Sequence, residues 1–117
     1  MPHQDPDCVF CKIAAGEIPS EKLHEDDRVV AFGDIAPAAP VHFLVVPREH
    51  IETADDVTAE QADLVGHMFL TCTRLAREKG LVHPGYRIVM NINEGGGQTT
   101  WHIHFHVLGG RRMTTLG

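Results

Sequence analysis

Residues 102–108 read His-Ile-His-Phe-His-Val-Leu, an unbroken alternation of imidazoles and apolar side chains. Successive side chains of a strand point to opposite faces. The period of two therefore predicts a strand with His102, His104 and His106 on one face and Ile103, Phe105 and Val107 on the other. The apolar face must pack on a core, which leaves a rigid row of histidines looking onto a cleft or solvent. Three same-face positions span about 13 Å on an extended strand at roughly 3.3 Å per residue. That is too far for all three to ligate one ion. Two of them can share an ion with outside ligands, so the row reads as divided roles, with metal binding and acid–base or nucleophilic chemistry both open.

Upstream, residues 86–91 (YRIVMN) form a second short strand pattern, and residues 95–100 (GGGQTT) form a glycine-rich loop. Glycine lets backbone N–H groups approach an anion without a side chain in the way. A histidine row beside such a loop predicts a phosphate-chemistry or metal site.

The chain has 117 residues, enough for a single domain that buries roughly two thirds of its unfolded surface without disulfide support. A net charge of −6 argues against nucleic-acid binding, which needs many Lys and Arg contacts, but not against one mononucleotide in a locally favourable pocket. No apolar run reaches the length of a membrane span, and the start MPHQDPDCVF has no signal-like pattern. The expected location is the cytoplasm, where three cysteines need an explanation other than disulfides.

Residues 1–7 are expected to form a flexible tail, 8–112 the domain, and 113–117 a short loose end. Residues 8–16 suggest a helical turn, with Asp7 as its cap and Gly16 as its stop. Cys8-x-x-Cys11 on one turn can bind a metal or act as a redox pair. Two further ligands would close a tetrahedral site, and His50 is one candidate. Residues 21–32 read as a hairpin whose acidic turn, Glu25-Asp26-Asp27, is expected to be a solvated loop. Asp34, in the proline-punctuated loop that follows, is either a ribose ligand or a turn residue. Residues 41–47 (VHFLVVP) are a strand buried on both faces, and His42 within it reads as a hydrogen-bonded core histidine.

Thr58-Ala59-Glu60-Gln61 fits a capping box opening a long helix that Gly80 ends. Val65, Met68, Phe69, Cys72, Leu75 and Ala76 form its apolar stripe, and His67 lies off that stripe, on an exposed side. The sum is an α+β fold.

The His-φ-His-φ-His-φ-φ motif (φ apolar) at 102–108, with Phe32-Gly33-Asp34-Ile35 and the run from Ala39 to Pro47, resembles the histidine triad (HIT) family. The likeness is to its small HINT-type, nucleotide-binding branch and covers the chain from about Cys8 to Arg112. It implies a five-stranded antiparallel sheet with the long helix across one face, and a homodimer with a continuous sheet. It also implies a hydrolase or nucleotidyl-transfer enzyme that cleaves purine nucleoside phosphoramidates, or related phosphoanhydrides, of the AMP or GMP type. His104 would be the nucleophile of a nucleotidyl-histidine intermediate. His106 would bind the phosphate and help the leaving group, and the Thr99 hydroxyl would contact a leaving amine.

The resemblance places Asn91, Gly97, Gln98 and Thr99 around the phosphate and Asp34 on the ribose. It places Val9, Phe10, Ile13, Ile18, Phe32 and Ile35 around the base, and makes His42 a support behind the catalytic histidines. Zinc-bearing relatives imply a structural zinc on Cys8, Cys11, His50 and His102, with no catalytic metal. The alternatives are a dinucleoside polyphosphate hydrolase, a non-catalytic nucleotide-binding module, or a metal-dependent oxygenase. Relatives with longer tails carry an aromatic residue that reaches the partner's site, which this chain's tail lacks.

Overall fold

The β-branched and aromatic segments β2 (Val29–Gly33) and β3 (Val41–Pro47) pair antiparallel at the centre of the structure, with Ala31 opposite Val45 and Phe32 opposite Leu44. A computed structural model describes residues 4–117. Residues 1–3 of the expected tail lie outside the described residues. β1 (Lys22–Glu25) flanks β2, and β5 (Phe105–Gly109) followed by β4 (Arg87–Val89) flanks β3. The order is β1-β2-β3-β5-β4, and all four pairings are antiparallel. This is the expected five-stranded sheet.

Because strand side chains alternate, neighbouring residues of β2 and β3 feed two separate cores. Val29, Ala31, Phe43 and Val45 point to one face, together with Ile103 and Val107. They pack under α2 (Ala62–Glu78), which contributes Leu64, Met68, Cys72 and Leu75. Val30, Phe32, Leu44 and Val46 point to the other face, against Phe10, Ile13 and Ala14 of α1 (Val9–Ala14). Full burial of one such side chain is worth about 1.5–3 kcal/mol relative to exposure.

The helix ends follow their sequence signals with some shifts. Gln61 Oε1 accepts the N–H of Thr58 at 2.9 Å, the reach-back half of a capping box, but residues 59–61 form a 3-10 turn before α2 begins. At the other end Gly80 has φ +74, and the N–H groups of Gly80 and Leu81 donate to the carbonyls of Arg77 and Ala76. That is the Schellman pattern, which a left-handed residue makes possible. The cap of α1 is Cys8, whose sulfur accepts from the N–H of Cys11, rather than Asp7.

Several expectations need correction. Phe69 is 45% exposed and Val65 only half-buried, while Leu64 and Thr71 complete the buried stripe. The stripe is rotated by one position, because the sheet meets the helix on its Leu64–Thr71 side. The acidic turn is not merely solvated. Asp26 accepts from His24 and His67 through Oδ2, at 2.7 and 2.8 Å, and from the amides of Arg28 and Val29 through Oδ1. These bonds hold its carboxyl well below the usual carboxylate range against the cost of burial. His67 is thereby drawn into contact with the turn. At the C-terminal end, Arg87 Nη1 donates to the Thr115 carbonyl at 2.6 Å.

The triad strand is shorter than predicted. β3 ends at Pro47, and continuing the register from Val45–Phe105 would set residue 103 opposite it. Proline has no N–H to give the ladder. Residues 102–104 leave it there, and the Ile103 N–H turns to the Ile51 carbonyl at 2.8 Å.

Candidate active site

Four histidines carry tautomers that their partners fix. A carbonyl only accepts, so the 2.8 Å contact from His104 Nδ1 to the His102 carbonyl places a proton on Nδ1. The Nε2 of His104 is left as a lone pair. His102 donates from Nε2 to the Pro47 carbonyl at 2.7 Å, which leaves its Nδ1 as a lone pair. The Ala38 amide donates to His42 Nδ1 at 3.0 Å, so neutral His42 holds its proton on Nε2. That N–H donates to His106 Nδ1 at 2.9 Å. A neutral His106 then carries its own proton on Nε2. One ring of the adjacent pair thus offers a lone pair and the other an N–H, with centroids 4.9 Å apart.

Both rings stay neutral at physiological pH. Burial lowers His104 below the ordinary histidine value, although its bond to the His102 carbonyl and the charge of Asp34 oppose the shift. Burial and repulsion from His104 and His42 bring His106 down to about 4. The Phe10 ring packs T-shaped against His104 and His102, with its centroid 5.1 Å from that of His104 and 5.8 Å from that of His102.

His104 and His106 face a cavity of about 550 Å³, within the usual range for small-ligand sites. Its apolar wall contains every predicted base-side residue: Val9, Phe10, Ile13, Ile18, Phe32 and Ile35. Ile35 is fully exposed and Val9 43% exposed, which marks the rim of an open hollow. Asp34, Asn91, Gly97 and Thr99 also line it. The Oδ1 of Asp34 takes the Ala36 N–H at 2.8 Å, a turn bond that leaves other lone pairs for a ligand. The turn and ligand readings of Asp34 are thus compatible. Leu44 and Thr100 line the cavity as well, and no sequence signal marked them. Leu44 is there because it sits opposite Phe32, which depends on strand register.

Gln98 is the exception among the predicted phosphate contacts. It is buried, its Oε1 accepts the Asn93 N–H, and its Nε2 donates to the carbonyls of Glu52 and Thr100. It braces the loop from within. The N–H groups of Gly96, Gly97 and Gln98 are also spent, on the carbonyls of Asn93 and Glu94. The loop is therefore a shaped wall more than an open row of donors. Gly97 is required in it: φ is +87, and a Cβ would lie 3.3 Å from the Asn91 amide nitrogen.

His102 does not share the cavity. It is fully buried and turned towards the cysteines, a correction to the expected open row. Its Nδ1 lies 3.3 Å from Cys8 Sγ, 3.6 Å from Cys11 Sγ and 3.3 Å from His50 Nδ1, and His50 Nδ1 lies 3.5 Å from Cys11 Sγ. Metal–sulfur bonds of about 2.3 Å and metal–nitrogen bonds of about 2.05 Å in a tetrahedron give edges of roughly 3.6 Å for S···N and 3.3 Å for N···N. Cys8, Cys11, His50 and His102 could therefore hold one metal ion. Asp34, His42 and His106 also cluster, but the 2.9 Å between the two rings is a hydrogen bond.

The chain was compared with known proteins. The family model described as "Scavenger mRNA decapping enzyme C-term binding" matches residues 7–116. A purine nucleoside phosphoramidase of Escherichia coli K12 is 45% identical over 105 residues, 90% of this chain and 88% of the relative. A HIT family hydrolase from Legionella pneumophila superposes with a TM-score of 0.91 at 48% identity, covering 92% of this chain and 96% of that one. A histidine triad protein from Clostridium difficile gives a TM-score of 0.93 at 43% identity, over 97% and 99% of the two chains.

Proposed function

Because this chain belongs to the histidine triad family, we propose that it is a purine nucleoside phosphoramidase working through a covalent histidine intermediate. Its relatives support hydrolysis of nucleotides in general. The observation that carries the finer reading is the tautomer pair: a lone pair on His104 Nε2 beside an N–H on His106 Nε2, both at the cavity.

The nucleoside sits against the apolar wall, with Asp34 on the ribose hydroxyls and Asn91 and Thr99 near the phosphate. His104 Nε2 attacks phosphorus and forms a P–N bond as the bond to the leaving amine breaks. The amine takes the proton from His106 Nε2, and the Thr99 hydroxyl hydrogen-bonds it; the negative charge left on His106 is balanced by the positive charge formed on His104, whose ring centroid lies 4.9 Å away, until water restores the proton. As positive charge develops on His104, the His102 carbonyl on its Nδ1–H stabilises it. Water then attacks phosphorus, gives a proton back to His106, and releases His104 with the nucleoside monophosphate. His42 positions His106 throughout by its Nε2–H bond.

We assign zinc to Cys8, Cys11, His50 and His102, since two thiolates and two imidazoles are a zinc donor set. Bound there, zinc would cross-link α1 to the triad segment and neutralise the thiolates. The three cysteines are free thiols, which fits a reducing compartment, and no helix is long and apolar enough to cross a membrane.

The test is hydrolysis of adenosine 5′-phosphoramidate by the wild type and His104→Ala, with intact-mass detection of a nucleotidyl adduct. Wild-type turnover with a fall of at least about 10²-fold in the variant is expected. Equal turnover by both proteins would overturn the assignment of His104.

A further inference from the structure

A second hollow, of about 320 Å³, lies on the other side of His106. Among the described residues it shares only His106 and Asn91 with the nucleoside cavity. Strand register sets its floor. Val89 sits opposite His106 across β4 and β5, while His42, Leu108 and Arg87 form the next row on the same face, about 7 Å further along. The tail, held by Arg87 on the Thr115 carbonyl, closes one side. Arg111 closes another, donating to the Ala38 carbonyl at 3.1 Å.

The charge of this hollow runs against that of the chain. The protein carries −6 overall, and the nucleoside cavity includes Glu21 and Asp34. The second hollow contains Arg87 and Arg111, and no carboxylate lines it among the described residues. The bonds these two guanidiniums make go to backbone carbonyls. A guanidinium has five N–H donors, so each keeps donors and its full charge for a further partner. His106 Nε2–H, at the border of the two hollows, is the proton source for departure.

We propose that the second hollow receives the leaving group and selects one with an anionic head, a carboxylate or a phosphate, held by Arg87 and Arg111. This rests on the phosphoramidase reading, and it names the leaving-group class. With the nucleoside in its cavity and phosphorus at His104, the displaced group must lie away from His104. The hollow beyond His106 is where the two sets of lining residues meet. Arg87 and Arg111 are specificity residues, remote from the bond that breaks.

The test compares three adenosine 5′-phosphoramidates, whose leaving amines are propylamine, β-alanine and 2-aminoethyl phosphate. The wild type is expected to favour the two anionic amines over propylamine by about tenfold in kcat/KM, the scale of one charge-assisted hydrogen bond. The order of the two anionic substrates identifies the head group. Arg87→Gln and Arg111→Gln should each bring the ratio towards one. Raising the salt concentration should lower it in the wild type, a readout that needs no variant. A ratio near one with good turnover of the propylamide overturns this proposal and leaves the phosphoramidase reading standing. A preference that ignores both variants and salt also overturns it. No turnover of any of the three overturns the underlying reading, and this proposal with it.

Discussion

At the scale of single residues, function rests on which ring nitrogen holds a proton, and His106 makes this measurable. Its value near 4 means that the folded protein stays unprotonated there well below pH 6.5. Protonation of His106 would leave its Nε2–H in place, so the acidic limb of the rate belongs to His104, whose lone pair a proton would block; burial sets that limb below the 6.5 of an ordinary histidine. A limb centred at or above 6.5 would show that His104 is not held neutral by its surroundings. Stability follows the same sign at His106. Between about 6.5 and 4 the unfolded chain binds a proton that the folded site refuses, so this contribution is present above the unfolded value and is lost as pH falls through that window. The triad was legible because three histidines at strict alternation are rare by chance. Its division of labour was less so: that His102 faces sulfur and His104 a cavity depends on Pro47 ending the ladder between them and Phe10 wedging against both. The inward turn of Gln98 was not legible either, since a loop sequence does not say which way a side chain turns.

At the scale of elements, α1 is the piece with least holding it. It is six residues long, too short to persist alone. Its attachments are the small core around Phe10, the bond from Arg48 Nη1 to the Ala14 carbonyl at 2.7 Å, and the Cys8–Cys11–His50–His102 cluster. Burial raises the Cys11 thiol to about 11, so without an ion it stays protonated, and a metal must displace that proton. Chelation of the metal-loaded protein, or Cys11→Ala, should lower Tm by roughly 8 °C or more, equivalent to at least about 2 kcal/mol. A thermal melt indifferent to both, or elemental analysis without zinc, would remove the metal from the account. Cys-x-x-Cys announced two ligands by spacing. The other two lie 39 and 91 residues from Cys11, a closure that only the fold or a family resemblance supplies. Strand and helix bodies were readable from their periods, whereas the shortened β4 and β5 and the 3-10 start before α2 were decided by tertiary partners.

At the scale of the whole molecule, β4 is an outer strand of the sheet, and Phe69, Ile92 and Trp101 are each more than 40% exposed. Such an edge and such exposed side chains offer a surface to a partner. A second copy of the chain, with β4 against β4, is the expected one. Sedimentation should give the mass of two chains at micromolar concentration, and Phe69→Glu should shift it towards one; a wild-type mass of a single chain would refute the pairing. The number of strands came with the family resemblance, whereas their order was not contained in hydrophobic period and is given by the structure. The sheet has one more consequence. Odd-numbered residues from Val29 to Ala31 and from Phe43 to Val45 serve the helix side, whereas Phe32 and Leu44 belong to the wall against which a nucleobase would rest. Adjacent codons thus answer to different demands. A substitution at Phe32, Leu44 or Ile13 would therefore reshape the nucleobase wall and loosen the small core that holds α1, while the core under α2 keeps its own contacts.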